Sequence, residues 1–126
     1  WVTGGVLEAD VQHAADCGLN SFQFPVVWPR VYSRGRDGLQ RANLQGVAVL
    51  KGLTAAVLAR RLTPLVAMFQ WDLPAEVDWR SSSSVEAFAE YADFLFRSFP
   101  EVKSWITFDD PLSLCRLRYG ADANAS

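Results

Sequence analysis

Two amphipathic helical patterns dominate the chain. Over residues 44–61 the apolar positions Val47, Leu50, Leu53, Val57 and Leu58 recur at helical spacing, with Lys51 and Arg60 off that face. Over residues 84–99, Phe88, Tyr91, Ala92, Leu95 and Phe99 form one face, and Glu86, Glu90, Asp93 and Arg97 the other. Ser83 followed by Glu86 has capping-box spacing, which predicts where this helix starts, and Pro100 predicts where it stops. A weaker helical pattern spans 7–17 and ends at Gly18. Between these segments lie three short apolar runs, at 21–27, 65–69 and 104–108, of strand length and carrying β-branched or aromatic residues. Each interval between the runs holds one amphipathic helix. The pattern is βαβαβ, with crossovers long enough for parallel neighbours, and the expected fold class is α/β. Residues 33–41, with Gly35, Gly38, Arg34, Arg36, Asp37 and Arg41, predict the longest loop, and 81–84 a short polar lead into the third helix.

Composition narrows the picture. The 126 residues are 50% apolar and 21% charged, ordinary globular usage that leaves room for a hydrophobic core and excludes disorder. Twelve basic and fourteen acidic residues are mixed along the chain for a net charge of −2, so a nucleic-acid partner is not expected. No apolar run reaches the ~18 residues of a membrane span, and no membrane segment or signal peptide is expected. The chain begins at Trp1 and its one methionine is Met68, which suggests a processed N-terminus or a piece of something longer. Cys17 and Cys115 are too sparse for a disulfide scaffold or a zinc site. Cys17 falls beside Ala14 on the apolar side of the first helix and reads as a buried thiol, with a bridge to Cys115 left open. His13 has no partner at ligand spacing, and no metal is expected. Thr3-Gly4-Gly5 follows no predicted strand, which argues against a nucleotide-binding glycine loop.

In parallel α/β proteins, chemistry gathers at the carboxyl ends of the strands. The first run delivers Trp28 and Arg30, the second Gln70, Trp71 and Asp72, and the third Asp109 and Asp110 before Pro111. Flat indoles suit sugar CH faces, and carboxylates or amides suit sugar hydroxyls. The local motifs are specific. Phe69-Gln-Trp-Asp-Leu-Pro74 resembles the His-Trp-Asp-Leu-Pro strand end of the family 1 glycoside hydrolases, the β-glucosidases and their relatives. Lys103-Ser-Trp-Ile-Thr-Phe-Asp-Asp-Pro111 resembles their Lys-x-Trp-Ile-Thr-Phe-Asn-Glu-Pro. Phe22-Gln-Phe-Pro-Val-Val-Trp28, then Pro29-Arg30-Val31, is similar to their Tyr-Arg-Phe-Ser-Ile-Ser-Trp-Ser-Arg-Ile. Asn43 with Gly46-Val47, the Phe88 to Lys103 stretch, and Tyr119-Gly120 match further motifs in the family's order.

The resemblance implies a (β/α)₈ TIM barrel, of which residues 1–126 would hold about strands two to four as a partial barrel domain, since complete barrels need roughly 250 residues. It implies hydrolysis of β-glucosides or β-galactosides by a retaining two-carboxylate mechanism, a carbohydrate substrate and no cofactor. The nucleophilic Glu near the end of strand seven would lie outside this chain, leaving the chain inactive alone and dependent on the remaining barrel to fold. Asp110 occupies the acid/base position, where the family has Glu, and its shorter arm misplaces the carboxyl on a scale that costs on the order of 100-fold in rate. Asp109 stands at a substrate-binding Asn, and Gln70 at a substrate-binding His, with Trp71 beside it as the glycone contact. Gln23 replaces an Arg, and Pro25 a Ser inside a strand that should be central. These departures support an alternative expectation: a catalytically degenerate, klotho-like or lactase-like barrel with a binding or structural role.

Overall fold

The computed structural model describes residues 4–34 and 40–120. Helix α1 (Gly4–Asp16) buries Val11 and Ala14 and leads into strand β1 (Ser21–Pro25). Its end is fixed by Gly18 at φ 75°, where the Gly18 N–H bonds the Ala15 carbonyl and the Leu19 N–H bonds that of Ala14. This double bond pattern needs a left-handed residue, which glycine supplies without a Cβ penalty. Cys17 therefore lies past the last buried turn and is exposed, as is Cys115; both are free thiols, so neither the buried reading nor the bridge holds.

After β1 the chain forms one helical turn, α2 (Trp28–Val31), with Pro29 in its first turn. Tyr32–Arg34 (β2) and Gln40–Ala42 (β3) then pair antiparallel, Tyr32 opposite Ala42, where the pattern predicted an open loop. Gly and charged residues hide such a pair from any period-two reading; the intervening 35–39 lie outside the described residues. Asn43 caps helix α3 (Leu44–Ala59), its side chain accepting from the Gln45 and Gly46 N–H groups. Gly46 is required because a Cβ there would collide with the Arg30 carbonyl of α2.

Strand β4 (Thr63–Phe69), helix α4 (Ser83–Ser98), strand β5 (Ser104–Phe108) and helix α5 (Pro111–Tyr119) complete the order. The three longer strands form one parallel sheet, β1-β4-β5, with Gln23 level with Leu65 and Leu65 level with Ser104. β1 stops at Pro25, two residues before the expected end. The Val26 N–H bonds the Ala67 carbonyl, so by alternation the Pro25 nitrogen faces away from β4, and no ladder bond is lost there. Helix α4 keeps its predicted apolar face, with Tyr91, Leu95 and the flanking Phe99 buried. Its predicted capping box does not form: Ser82 is the cap, already in helical conformation, without a side-chain bond. The turn from Asp78 to Ser84 feeds the helix instead, with the Ser84 N–H on the Ser81 carbonyl and the Val85 N–H on the Ser82 carbonyl.

Candidate functional site

An aromatic cluster underlies the strand ends. Trp28 stacks on Tyr91 with ring centroids 4.3 Å apart and meets Phe88 edge-on at 5.7 Å. Trp79 packs on Phe69 at 5.2 Å and Phe108 at 5.0 Å. Trp28 is 1% exposed. It belongs to the floor of the site and not to its rim, contrary to the strand-end reading, because the chain turns into α2 at that residue and tucks the indole onto α4.

Above this floor the sheet is irregular in one place. The Ala67 carbonyl faces β1, accepting from Val26, while the Phe69 carbonyl faces β5, accepting from Asp109 at 2.9 Å. In a regular strand both would face the same neighbour. Between them the Met68 carbonyl accepts from the buried Tyr91 hydroxyl at 2.9 Å. The alternation breaks at Met68, and the strand end that carries Gln70 swings toward β5.

Three strands converge there. The Asp109 carboxylate, one residue past β5, accepts at its Oδ2 from Gln70 Nε2 at 2.9 Å and from Gln23 Nε2 at 3.3 Å. Gln70 follows β4 directly and Gln23 lies within β1. Asp109 and Gln70 are half-buried and Gln23 is exposed. Trp71 is 40% exposed, and its carbonyl accepts from Arg118 of α5 at 3.0 Å. A second tie joins the same loop to α5: Arg80, paired with Asp78 at 2.8 Å, lies 5.7 Å from the centre of the Tyr119 ring. That pairing pulls the Asp78 carboxyl below its ordinary value, mainly through the Arg80 side-chain bond. The sequence marks Gln23 only as standing in place of an Arg, and nothing in it singles out Arg118. The signal for Gln23 is its position inside a strand motif; for Arg118, on a short helix whose two charged residues are both arginines, there is none.

Asp110 goes elsewhere. It adopts a left-handed conformation, φ 47° and ψ 61°, and caps α5 by accepting from the Ser113 N–H at 3.2 Å. Hydrogen bonds from Ser113, side chain first and backbone second, hold its carboxyl below the usual aspartate value. The two adjacent carboxylates thus serve different partners, Asp109 the amides and Asp110 the helix end. Among the described residues no group of His, Cys, Asp and Glu side chains is arranged to hold a metal ion, and no helix is long and apolar enough to cross a membrane.

A parallel sheet with helical crossovers and a polar cluster at the carboxyl ends of its strands defines a piece of a parallel α/β protein. Comparison with known proteins makes that specific. Residues 6–125 match Glycosyl hydrolase family 1, and the chain belongs to that family. It is 33% identical over 124 residues to beta-glucosidase 6 of Oryza sativa subsp. japonica, covering 94% of this chain and 23% of that protein. To human lactase/phlorizin hydrolase it is 32% identical over 130 residues, covering 93% of this chain and 7% of that one. Among solved structures it superposes on an aphid myrosinase with a TM-score of 0.82 at 29% identity, covering 91% of this chain and 26% of the other. On the family 1 β-glucosidase of Thermotoga maritima the TM-score is 0.79 at 27% identity, covering 90% and 26%. The chain spans about a quarter of the length of the β-glucosidases it matches.

Proposed function

We propose that residues 1–126 are a partial barrel domain, about strands two to four, of a protein that binds β-glucosides or β-galactosides at these strand ends. In the hydrolytic form of this reading the protein cleaves the O-glycosyl bond with retention. One carboxylate attacks the anomeric carbon, and a second group, at the position of Asp110, protonates the leaving oxygen and then activates water. The nucleophile comes from a strand outside this chain. The observation that carries the reading is the convergence of Gln23, Gln70 and Asp109 from three strands, with Trp71, the residue after Gln70, 40% exposed. Amides held by a carboxylate match sugar hydroxyls, and an indole face matches a sugar ring.

A specific observation favours a second form, a barrel that binds glycosides without cleaving them. A general acid in a glycosidase needs a raised pKa. Asp110 has a lowered one and spends an oxygen on the α5 end. The test uses the polypeptide that carries this chain together with the remaining strands, assayed on nitrophenyl β-glycosides as it is and as Asp110→Glu. Turnover that rises on restoring Glu supports hydrolysis with position 110 as the acid. Binding of methyl β-glycosides with no turnover by either protein supports the second form. Failure of both proteins to bind any β-glycoside would sink both forms.

A further inference from the structure

We propose that Asp109 is a positioning residue that fixes which way the Gln70 amide faces, and thereby which sugar hydroxyl Gln70 reads. The inference rests on the glycoside reading above and deepens it. The two ends of a glutamine amide are nearly equal in size, so shape alone does not orient it; hydrogen bonding does. A carboxylate only accepts. With Asp109 Oδ2 at 2.9 Å, Gln70 must turn its Nε2 inward, which leaves its Oε1 on the far side of the amide as an acceptor.

Three features make the arrangement rigid. The Asp109 N–H is bonded to the Phe69 carbonyl at 2.9 Å, and Phe69 is covalently joined to Gln70. Backbone bond and side-chain bond therefore close one small ring across the ends of β4 and β5. The break in alternation at Met68 turns the Phe69 carbonyl into that ring, and the buried Tyr91 hydroxyl anchors the break. On the same Oδ2 the Gln23 amide of β1 adds a second donor at 3.3 Å, which restrains the carboxylate from a third strand. These bonds make Asp109 the support of the Gln70 amide. A ligand hydroxyl that donates to Gln70 Oε1 is then read as a donor.

The test again uses the polypeptide with its remaining strands, with methyl β-glucoside, methyl β-galactoside and their monodeoxy analogues as probes. Loss of the hydroxyl that Gln70 reads weakens binding to the unaltered protein on the order of 10-fold. Asp109→Asn preserves size but offers both a donor and an acceptor, so either amide orientation is satisfied. The expected result is a fall of that discrimination to within about 2-fold, while affinity for the parent sugar changes less. Added to Gln70→Leu, the same change should do nothing further, because the read hydroxyl has already lost its partner. Discrimination that persists in Asp109→Asn, or effects of the two variants that simply add, would overturn the proposal. A ligand-free measurement stands beside it: the side-chain amide protons of Gln70 should exchange slowly with solvent in the unaltered protein and faster in Asp109→Asn. Unchanged exchange overturns the proposal whatever binds. If the amide protons respond as expected but none of the glycoside probes binds the unaltered protein, the positioning role stands and the glycoside reading falls.

Discussion

Asp110 and Arg61 are the non-glycine residues with positive φ among those described, and they differ in what holds them there. Asp110 turns the chain from β5 into α5 and is compensated by its cap bond to Ser113. Its folded pKa is lowered, so its contribution to stability is present above the ordinary value of 3.8 and is lost as pH falls through the folded value. A carboxyl titration followed by NMR should give a midpoint below 3.8 for Asp110; one at or above it would mean the cap is open in solution. Arg61 ends α3 in the position where glycine is usual, with its N–H on the Leu58 carbonyl and the Leu62 N–H on that of Val57. A side chain in this conformation costs roughly 1–2 kcal/mol. Part of that returns as unfolded-state entropy in glycine, so Arg61→Gly should stabilise the barrel polypeptide by about 1 kcal/mol in urea unfolding. A loss of stability would show that the Arg61 side chain makes a compensating contact. The residue scale is also where the sequence was least legible. The Asp-Asp-Pro motif located Asp109 and Asp110, but nothing in it tells which carboxyl faces the amides and which caps the helix. That depends on the left-handed turn between them.

Elements were more legible than residues, for a physical reason. The faces of α3 and α4 repeat over four turns and bury one side, so periodicity carries them, except that Leu58, expected on the α3 face, is 42% exposed while Thr54 and Gly46 are buried. The short β2–β3 pair has no such repetition, and the start of α4 is set by backbone bonds from the preceding turn and not by the Ser83–Glu86 pair. Nor does any pattern announce the break at Met68, which exists because α4 delivers a buried hydroxyl to that carbonyl. Tyr91 joins helix to strand twice, through this bond and through its stack on Trp28. Tyr91→Phe keeps the ring and removes the donor, leaving the buried Met68 carbonyl unpaired at a cost of about 1–3 kcal/mol. Since the same change loosens the β4 end, Gln70 amide exchange should quicken as well; stability and exchange both unaffected would mean that the bond does not hold the strand. Burial raises the Tyr91 pKa well above 10.0. The unfolded chain therefore loses this proton first, and stability should begin to decline as pH rises past about 10, toward the folded value. In Tyr91→Phe that component of the alkaline decline should vanish.

For the whole molecule, chain length is a poor guide and topology a good one. A chain of 126 residues has enough length for a core, and one exists, built on Val11, Phe24, Trp28, Val57, Val66, Met68, Tyr91 and Leu95. Yet among the described residues the sheet has three strands, with β1 and β5 as its two edges, and parallel sheets are normally covered on both faces and closed or flanked at the sides. Large apolar side chains also stand in solvent: Leu44 at 79%, Leu112 at 67% and Leu117 at 68% exposure. Leu112 and Leu117 both lie on α5, the last helix described, whose one buried residue is Leu114. On the proposed partial-barrel reading these surfaces meet neighbouring strands, in keeping with a chain that covers about a quarter of the β-glucosidases it matches. Expressed alone, the 126 residues should therefore associate or form a loosely packed state that binds hydrophobic dye and lacks near-ultraviolet dichroism from the Trp28–Tyr91 stack. Co-expression with the segments that supply the neighbouring strands should restore that dichroism and a sharp thermal transition. The direction of rescue matters. If open edges are the cause, charged substitutions at Leu112 and Leu117 should improve solubility of the isolated chain without restoring its tertiary signal, because they blunt association and leave the edges of β1 and β5 unpaired. A soluble monomer of the unaltered chain that unfolds cooperatively would show that three strands and their helices suffice, and that the dependence on the rest of the barrel is catalytic and not structural.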